Sequence, residues 1–348
     1  MPIDLSEAAR MATSGLLVGA VALPVGLIAR ATRPKGEPLL PRWKPLPVPW
    51  TGFAVVAAFV VIMVVLPLAI LDFLTTSDCY QIVYGDDFPL PRTPNIDDER
   101  KAEAATLRTL WASLFALPLQ LVMLLVARFA MHPRWRIKAT GSVAGKVALA
   151  VAAWCVLTPV VMLVNAAVNA ASQQLDLPPE THALAKLGNR PLLDQVLLAL
   201  EACVGAPLRE ELLVRGVLLW WCVGRMKVPG AGVSAFTGAR PWFVMLAATA
   251  CAANGGRWQP VAFAAVLAVG LGVLWRVKRT GARRARAVYA TAAFFALMHS
   301  VWPNPLPLFV LGLGLGYLAV RTNGLLVPVL VHSLFNAVSV AFVLRGAT

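Results

Sequence analysis

The chain has 348 residues, of which 59% are hydrophobic and only 14% charged, with a mean hydropathy of +0.71. Soluble domains carry roughly 25% charged residues, so this composition excludes an ordinary soluble protein and places the chain in the membrane class. The formal net charge of +14 is not accompanied by a recognition motif or aromatic–basic interleaving, which argues for membrane lipids as partners and against nucleic acid.

A membrane-crossing helix needs about 20 mostly apolar residues. Runs of this kind lie near 11–30, 50–74, 106–130, 145–170, 193–224, 241–254, 258–275, 287–301, 305–320 and 325–344. Several of the later ones are short, so the expectation is an all-α, polytopic transmembrane helix bundle of about eight to ten spanning segments. The first run lacks a small-residue cleavage site and is followed by Arg30 and Arg33, so it reads as a retained anchor. Residues 31–49 hold six prolines and read as an extended strap ending at Trp50. Residues 75–104, with Asp78, Asp86, Asp87, Asp97, Asp98 and Glu99, read as an acidic external loop. Asn165 and Asn169 share a face of the fourth span and suit interhelical hydrogen bonding. The pair 241–254 and 258–275, split by Asn254-Gly255-Gly256, reads as two tilted spans or one re-entrant hairpin.

Basic residues cluster between spans. The groups are Arg30 to Lys44, Arg128 to Lys146, Arg225 to Arg240, and Arg276, Lys278, Arg279, Arg283, Arg284 and Arg286. Their alternation with non-basic loops is the positive-inside pattern and predicts an external N-terminus. An alanine-, valine- and arginine-rich composition points to a bacterial inner (cytoplasmic) membrane. Five cysteines, at 79, 155, 203, 222 and 251, form no Cys-x-x-Cys pair, and four of them read as small apolar fillers. The division expected is 1–190, accessory transmembrane helices, and 191–348, a core that carries the chemistry, with an apolar hairpin inserted at about 240–276.

Ionisable groups at membrane depth are costly and mark function by default. Three stations stand out. In Ala206-Pro207-Leu208-Arg209-Glu210-Glu211-Leu212-Leu213-Val214-Arg215-Gly216, Pro207 predicts a kink or helix start. Glu211 and Arg215 are four apart with the acid first, the favourable order for a same-face ion pair. Glu210 is then the carboxylate available for general-base work on water, with Arg209 as a local partner. His299 ends an apolar run beginning at Phe294-Phe295. His332 and Asn336 are four apart on one helical face, so both can aim donors at a developing oxyanion. His132 and His182 lie in loops and are assigned no role.

Glu-Glu-x-x-x-Arg, Phe-x-x-x-His and His-x-x-x-Asn, in that order within membrane helices, resemble the CPBP family. These are the CAAX-protease and bacteriocin-processing (Abi) proteins, which include the Ras-converting CAAX endopeptidases. Ala206-Pro207-Leu208, Arg215-Gly216, Gly312 to Tyr317 and Thr322-Asn323-Gly324-Leu325 resemble the family's surroundings too, and the likeness covers about 190–345. The resemblance implies a CAAX-protease-like core and a glutamate-dependent intramembrane endopeptidase with no cofactor. It implies Glu210 as general base and His299 as the group that holds or activates the water. His332 and Asn336 would bind the oxyanion, and Glu211 and Arg215 would organise the site. The substrate expected is a hydrophobic or lipidated peptide or protein. One departure is the 83 residues between Arg215 and His299, longer than the family's usual spacing.

Two other readings use the same atoms. Glu210, His299 and His332 are chemically able to bind zinc, although no His-Glu-x-x-His cassette is present. A non-catalytic membrane scaffold or immunity-type protein would use the polar core only structurally.

Overall fold

The computed structural model describes residues 50–76, 98–130, 142–175, 191–223, 238–254, 256–277, 282–299, 301 and 303–344. The run 11–30, the strap 31–49, most of the acidic loop, Cys79, His132 and His182 lie outside the described residues. Every regular element described is helical, in accord with the all-α expectation.

Helix α1 comprises Gly52–Val60, a π-helical stretch Val61–Val65 and Leu66–Thr76. The Thr51 hydroxyl accepts from the Ala54 amide and so caps its start. Helix α2 is Asp98–Ala130, and α3 is Val143–Gln174, capped by Ser142. Helix α4 is composite: Leu192–Leu200, π-helical Glu201–Gly205, Ala206–Glu210, π-helical Glu211–Leu218 and Leu219–Val223. Helices α5 (Arg240–Asn254), α6 (Trp258–Arg276), α7 (Ala282–Leu297), α8 (Pro305–Thr322) and α9 (Leu326–Leu344) complete the order.

Six of these are long and apolar enough to cross a membrane: Gly52–Thr75, Ala104–Met123, Val143–Gln174, α6, α8 and α9. Among the described residues, the runs expected at 193–224, 241–254 and 287–301 fall outside this set for physical reasons. Helices α5 and α7 have 15 and 16 residues, about 22–24 Å at 1.5 Å per residue, less than the hydrocarbon thickness. Helix α4 is interrupted by Asp194, Glu201, Arg209, Glu210, Glu211 and Arg215. The chain is an integral, multi-pass membrane protein, and side chains such as Phe53, Leu246 and Val269 are left exposed where lipid would solvate them.

The chain divides into two compact units, each drawn from separate segments. One contains residues 50–136, 181–213 and 332–348. Its core is Leu74, Leu107, Leu110, Leu197 and Leu198, with Val343 packed against it. The other contains residues 137–180 and 214–331, with 1–49. Here α7 is the centre, packing against α5, α6 and α8, while α8 also packs against α3. Ala287, Ala290, Ala292, Ala293 and Ala296 of α7 are fully buried, and such small side chains let backbones approach closely where lipid offers no hydrophobic drive.

Glycines on α8 extend that approach. A Cβ at Gly312 would stand 3.1 Å from the Ala292 Cα, and one at Gly316 would stand 3.0 Å from Val288. Gly312 and Gly316 are thus a Gly-x-x-x-Gly face pressed on α7, and Gly314 faces Leu157 of α3. Helix α8 ends at Asn323, in the left-handed conformation (φ 49°) that asparagine tolerates, with its amide donating to Ala319. Helices α5 and α6 are separate, joined through Gly256 at φ 66°.

Candidate active site

Each polar station is positioned by a local irregularity in a helix. In the unit containing 181–213 and 332–348, the π-helical stretch Glu201–Gly205 shifts the backbone ladder by one residue, so the Ala206 amide donates to Glu201 rather than to Ala202. The next residue, Pro207, has no N–H to offer. The Ala202 carbonyl therefore lacks a donor from its own helix. Asn336 Nδ2 on α9 donates to it at 2.7 Å, which satisfies a backbone group that is costly to leave unpaired in hydrocarbon.

The same device occurs a second time in this unit. After the π-helical stretch Val61–Val65, the Leu66 amide donates to Val61 and residue 67 is proline. The Ile62 carbonyl accepts instead from Gln120 Nε2 of α2, at 2.7 Å. A proline ring clashes with the carbonyl four residues before it, and widening that turn relieves the clash.

Glu210 and Glu211 stand at the junction between the α-helical stretch Ala206–Glu210 and the π-helical stretch that follows. Both are buried, Glu211 fully. Glu211 Oε1 lies 3.0 Å from His332 Nδ1, and His332 is itself buried. An ionised carboxylate only accepts, so with Glu211 ionised Nδ1 holds a hydrogen. Nε2 of that ring then accepts when the imidazole is neutral and donates when it is protonated. Arg209, expected beside Glu210, pairs with Glu201, the first residue of the π-helical stretch. The Glu201 carboxylate occupies space that a Cβ at position 205 would fill, so Gly205 makes room for the pair. Glu201 escaped the sequence reading because eight residues separate it from Arg209, outside the usual i,i+4 spacing.

The other unit holds Arg215 and His299. Arg215 is fully buried, with its guanidinium 4.4 Å from the centroid of the Phe295 ring and Nη2 3.4 Å from the Gly312 carbonyl. A desolvated cation over an aromatic face is favourable. The close approach of α8 at Gly312 brings that carbonyl within reach. His299 follows the end of α7, half-buried, its ring edge against Phe295 with centroids 5.1 Å apart. Its Nδ1 donates to the Phe295 carbonyl at 2.8 Å, so Nε2 is the acceptor whenever the ring is neutral. Phe295, the aromatic residue of the Phe-x-x-x-His motif, thus touches two of the expected site residues.

The structure brings together Glu211 with His332, Asn336 with Ala202, and Phe295 with both Arg215 and His299. Among the described residues, no three His, Cys, Asp or Glu side chains form a group able to hold a metal ion. No curated protein and no solved structure matches the chain. A family model described as "Type II CAAX prenyl endopeptidase Rce1-like" matches residues 192–338, a range that begins at α4 and includes all six expected site residues. Residues 192–338 are thus similar to the type II CAAX prenyl endopeptidases, in agreement with the resemblance carried by the three motifs.

Proposed function

We propose that the protein is a glutamate-dependent intramembrane endopeptidase that hydrolyses peptide bonds of membrane-associated, hydrophobic or lipidated peptides. The Rce1-like match supports a CAAX-type intramembrane protease. The observation that carries the finer reading is the buried Glu211–His332 contact at 3.0 Å, immediately beside a second buried carboxylate, Glu210.

In this mechanism Glu210 takes a proton from water as the water oxygen attacks the scissile carbonyl. The resulting oxyanion is met by donors on His332 and Asn336. The amide of Asn336 carries two hydrogens, and the one not given to Ala202 serves the oxyanion. His332 donates from Nε2 when the Glu211–His332 pair holds an additional hydrogen, so Glu211 governs whether that donor exists. Glu210 then passes its proton to the departing amine. His299 enters on the Phe-x-x-x-His pattern, and its Nε2, an acceptor, is suited to hold a water hydrogen. Phe295 and Gly312 steady Arg215. The substrate enters from the bilayer or the cytoplasmic side, in keeping with an apolar exterior.

The test uses full-length protein in liposomes and quenched fluorescent peptides, with and without a farnesylated cysteine. Glu210→Gln, His299→Ala and His332→Ala should each lower cleavage by about 10²-fold or more, as expected for acid–base and oxyanion groups, while the protein remains inserted. Wild-type cleavage by Glu210→Gln would defeat the reading. Loss of activity on chelation, restored by zinc, would replace glutamate catalysis with metal catalysis.

A further inference from the structure

Glu210 follows the weakest stretch of α4. The π-helical turn Glu201–Gly205 sends the Ala206 amide to the Glu201 carbonyl, and Pro207 has no amide hydrogen to give. Fewer backbone bonds therefore tie the chain before residue 207 to the chain after it than in a regular helix. Before the break, the Ala202 carbonyl is held to α9 by Asn336 Nδ2 at 2.7 Å. After it, Glu210 closes the short stretch Ala206–Glu210. If Glu210 is to stand in one place, alignment must be carried across the break by something besides the backbone.

One side-chain contact spans it. Arg209 Nη2 donates to Glu201 Oε1, and the two residues are only 7% and 8% exposed. Eight residues of a regular α-helix turn through about 800°, which leaves such a pair about 80° apart around the axis. The residue inserted by the π-helical turn removes about 100° of that, so Glu201 and Arg209 fall within about 20° of one face. Side chains on a helix tilt back towards its start, which turns Arg209 towards Glu201. Position 205, between them, is glycine, and a Cβ there would collide with Glu201 Oε2. Helix α2 packs on this stretch, with Leu117 beside Gly205. Glu201 Oε2 and Arg209 Nη1 are buried and have no hydrogen-bond partner among the described residues, so the pair rests on one contact. A buried ion pair is a poor source of stability, because desolvation offsets most of its attraction. What it does supply is a fixed distance between two points of the chain.

We propose that Glu201 and Arg209 are positioning residues: they clamp α4 across its break and so hold the Glu210 carboxylate in register with Asn336. The line runs from Asn336 through the Ala202 carbonyl and its neighbour Glu201 to Arg209 and its neighbour Glu210, all within one compact unit. Base and oxyanion donor are thereby tied by two side-chain contacts rather than by the helix ladder alone. The inference rests on the reading of Glu210 as general base, through which both clamp residues act.

The experiment measures kcat and KM of the full chain in liposomes on the quenched peptides, with thermal unfolding in detergent read alongside. The double variant Glu201→Met, Arg209→Met removes the clamp and leaves no unpaired charge, so it should unfold at no lower temperature than wild type. Its kcat should nevertheless fall by about 10²-fold, the effect of an ångström-scale misplacement of a reacting group, with KM little changed. Arg209→Lys keeps a cation for the single Glu201 contact and should lose much less. Gly205→Ala leaves both charges in place and improves helix propensity, yet its methyl displaces the Glu201 carboxylate. Its kcat should fall with no loss of thermal stability, which decides the matter even if the double variant does not insert. Wild-type kcat in the double variant or in Gly205→Ala would overturn the proposal, as would a loss that only tracks the loss of folded protein. Glu210→Gln separates the two levels. Cleavage at the wild-type rate would defeat the base assignment itself, whereas an inactive Glu210→Gln beside a fully active double variant would defeat only the clamp.

Discussion

In the proposed mechanism the buried Glu211 carboxylate orients the His332 ring. With Nδ1 held against that carboxylate, the opposite nitrogen changes from acceptor to donor as one hydrogen is gained, so the acid acts through the imidazole. Glu211→Gln preserves shape while removing the carboxylate that holds Nδ1 of His332. It should lower kcat by about 10²- to 10⁴-fold, the range associated with proton-transfer groups, with KM little changed. Steady-state assays on the same quenched peptides measure this. An equal loss confined to KM would instead make Glu211 a substrate-binding group. The contrast with Glu201 is useful. That acid serves Arg209 inside one composite helix, so its role is to hold the chain around the bulge.

Among elements, α8 imposes the tightest geometric demand. Gly312 faces backbone, the Ala292 Cα at 3.1 Å and its carbonyl oxygen at 3.3 Å, whereas Gly314 faces the movable end of Leu157. Gly312→Val should destabilise by about 1–3 kcal/mol, the usual cost of overpacking, and Gly314→Ala by clearly less, as read from thermal unfolding in detergent. Gly312→Val should also disturb Arg215, because the carbonyl that guanidinium reaches belongs to Gly312. Much of this element logic was open to sequence reading. The three polar stations were legible because charge inside apolar runs is conspicuous, and the Gly-x-x-x-Gly spacing of 312 and 316 was visible, although its partner helix was not. The contact of Glu211 with His332, 121 residues away, was not legible, because i,i+4 spacing reads only local pairs such as Glu211 with Arg215. Phe295 was legible as the first residue of the Phe-x-x-x-His motif, but its contact with Arg215, 80 residues earlier in the chain, was not. The π-helical stretches were hidden because helical periodicity does not register a single inserted residue, although the prolines at 67 and 207 were markers of where to look.

For the molecule as a whole, the distribution of charge proposes an orientation. The 75–104 loop is acidic, and the arginine cluster at 276–286 belongs on the side where positive charge is retained. Single cysteines placed at Asp86 and at Arg279, in a background lacking the native thiols, should separate the two faces. In intact cells a membrane-impermeant maleimide should label the first, and label the second only after permeabilisation. The reverse pattern would invert the proposed topology and move the peptide entry to the opposite side.

The paired bulges have a bearing on heredity. Where a proline and an inserted helical residue strip a carbonyl of its backbone partner, the amide that replaces it is hard to lose alone. Pro207 with Asn336, and Pro67 with Gln120, should be inherited as couples across descendants of this sequence. A lineage that drops either proline regains the missing backbone hydrogen, and its amide becomes free to drift.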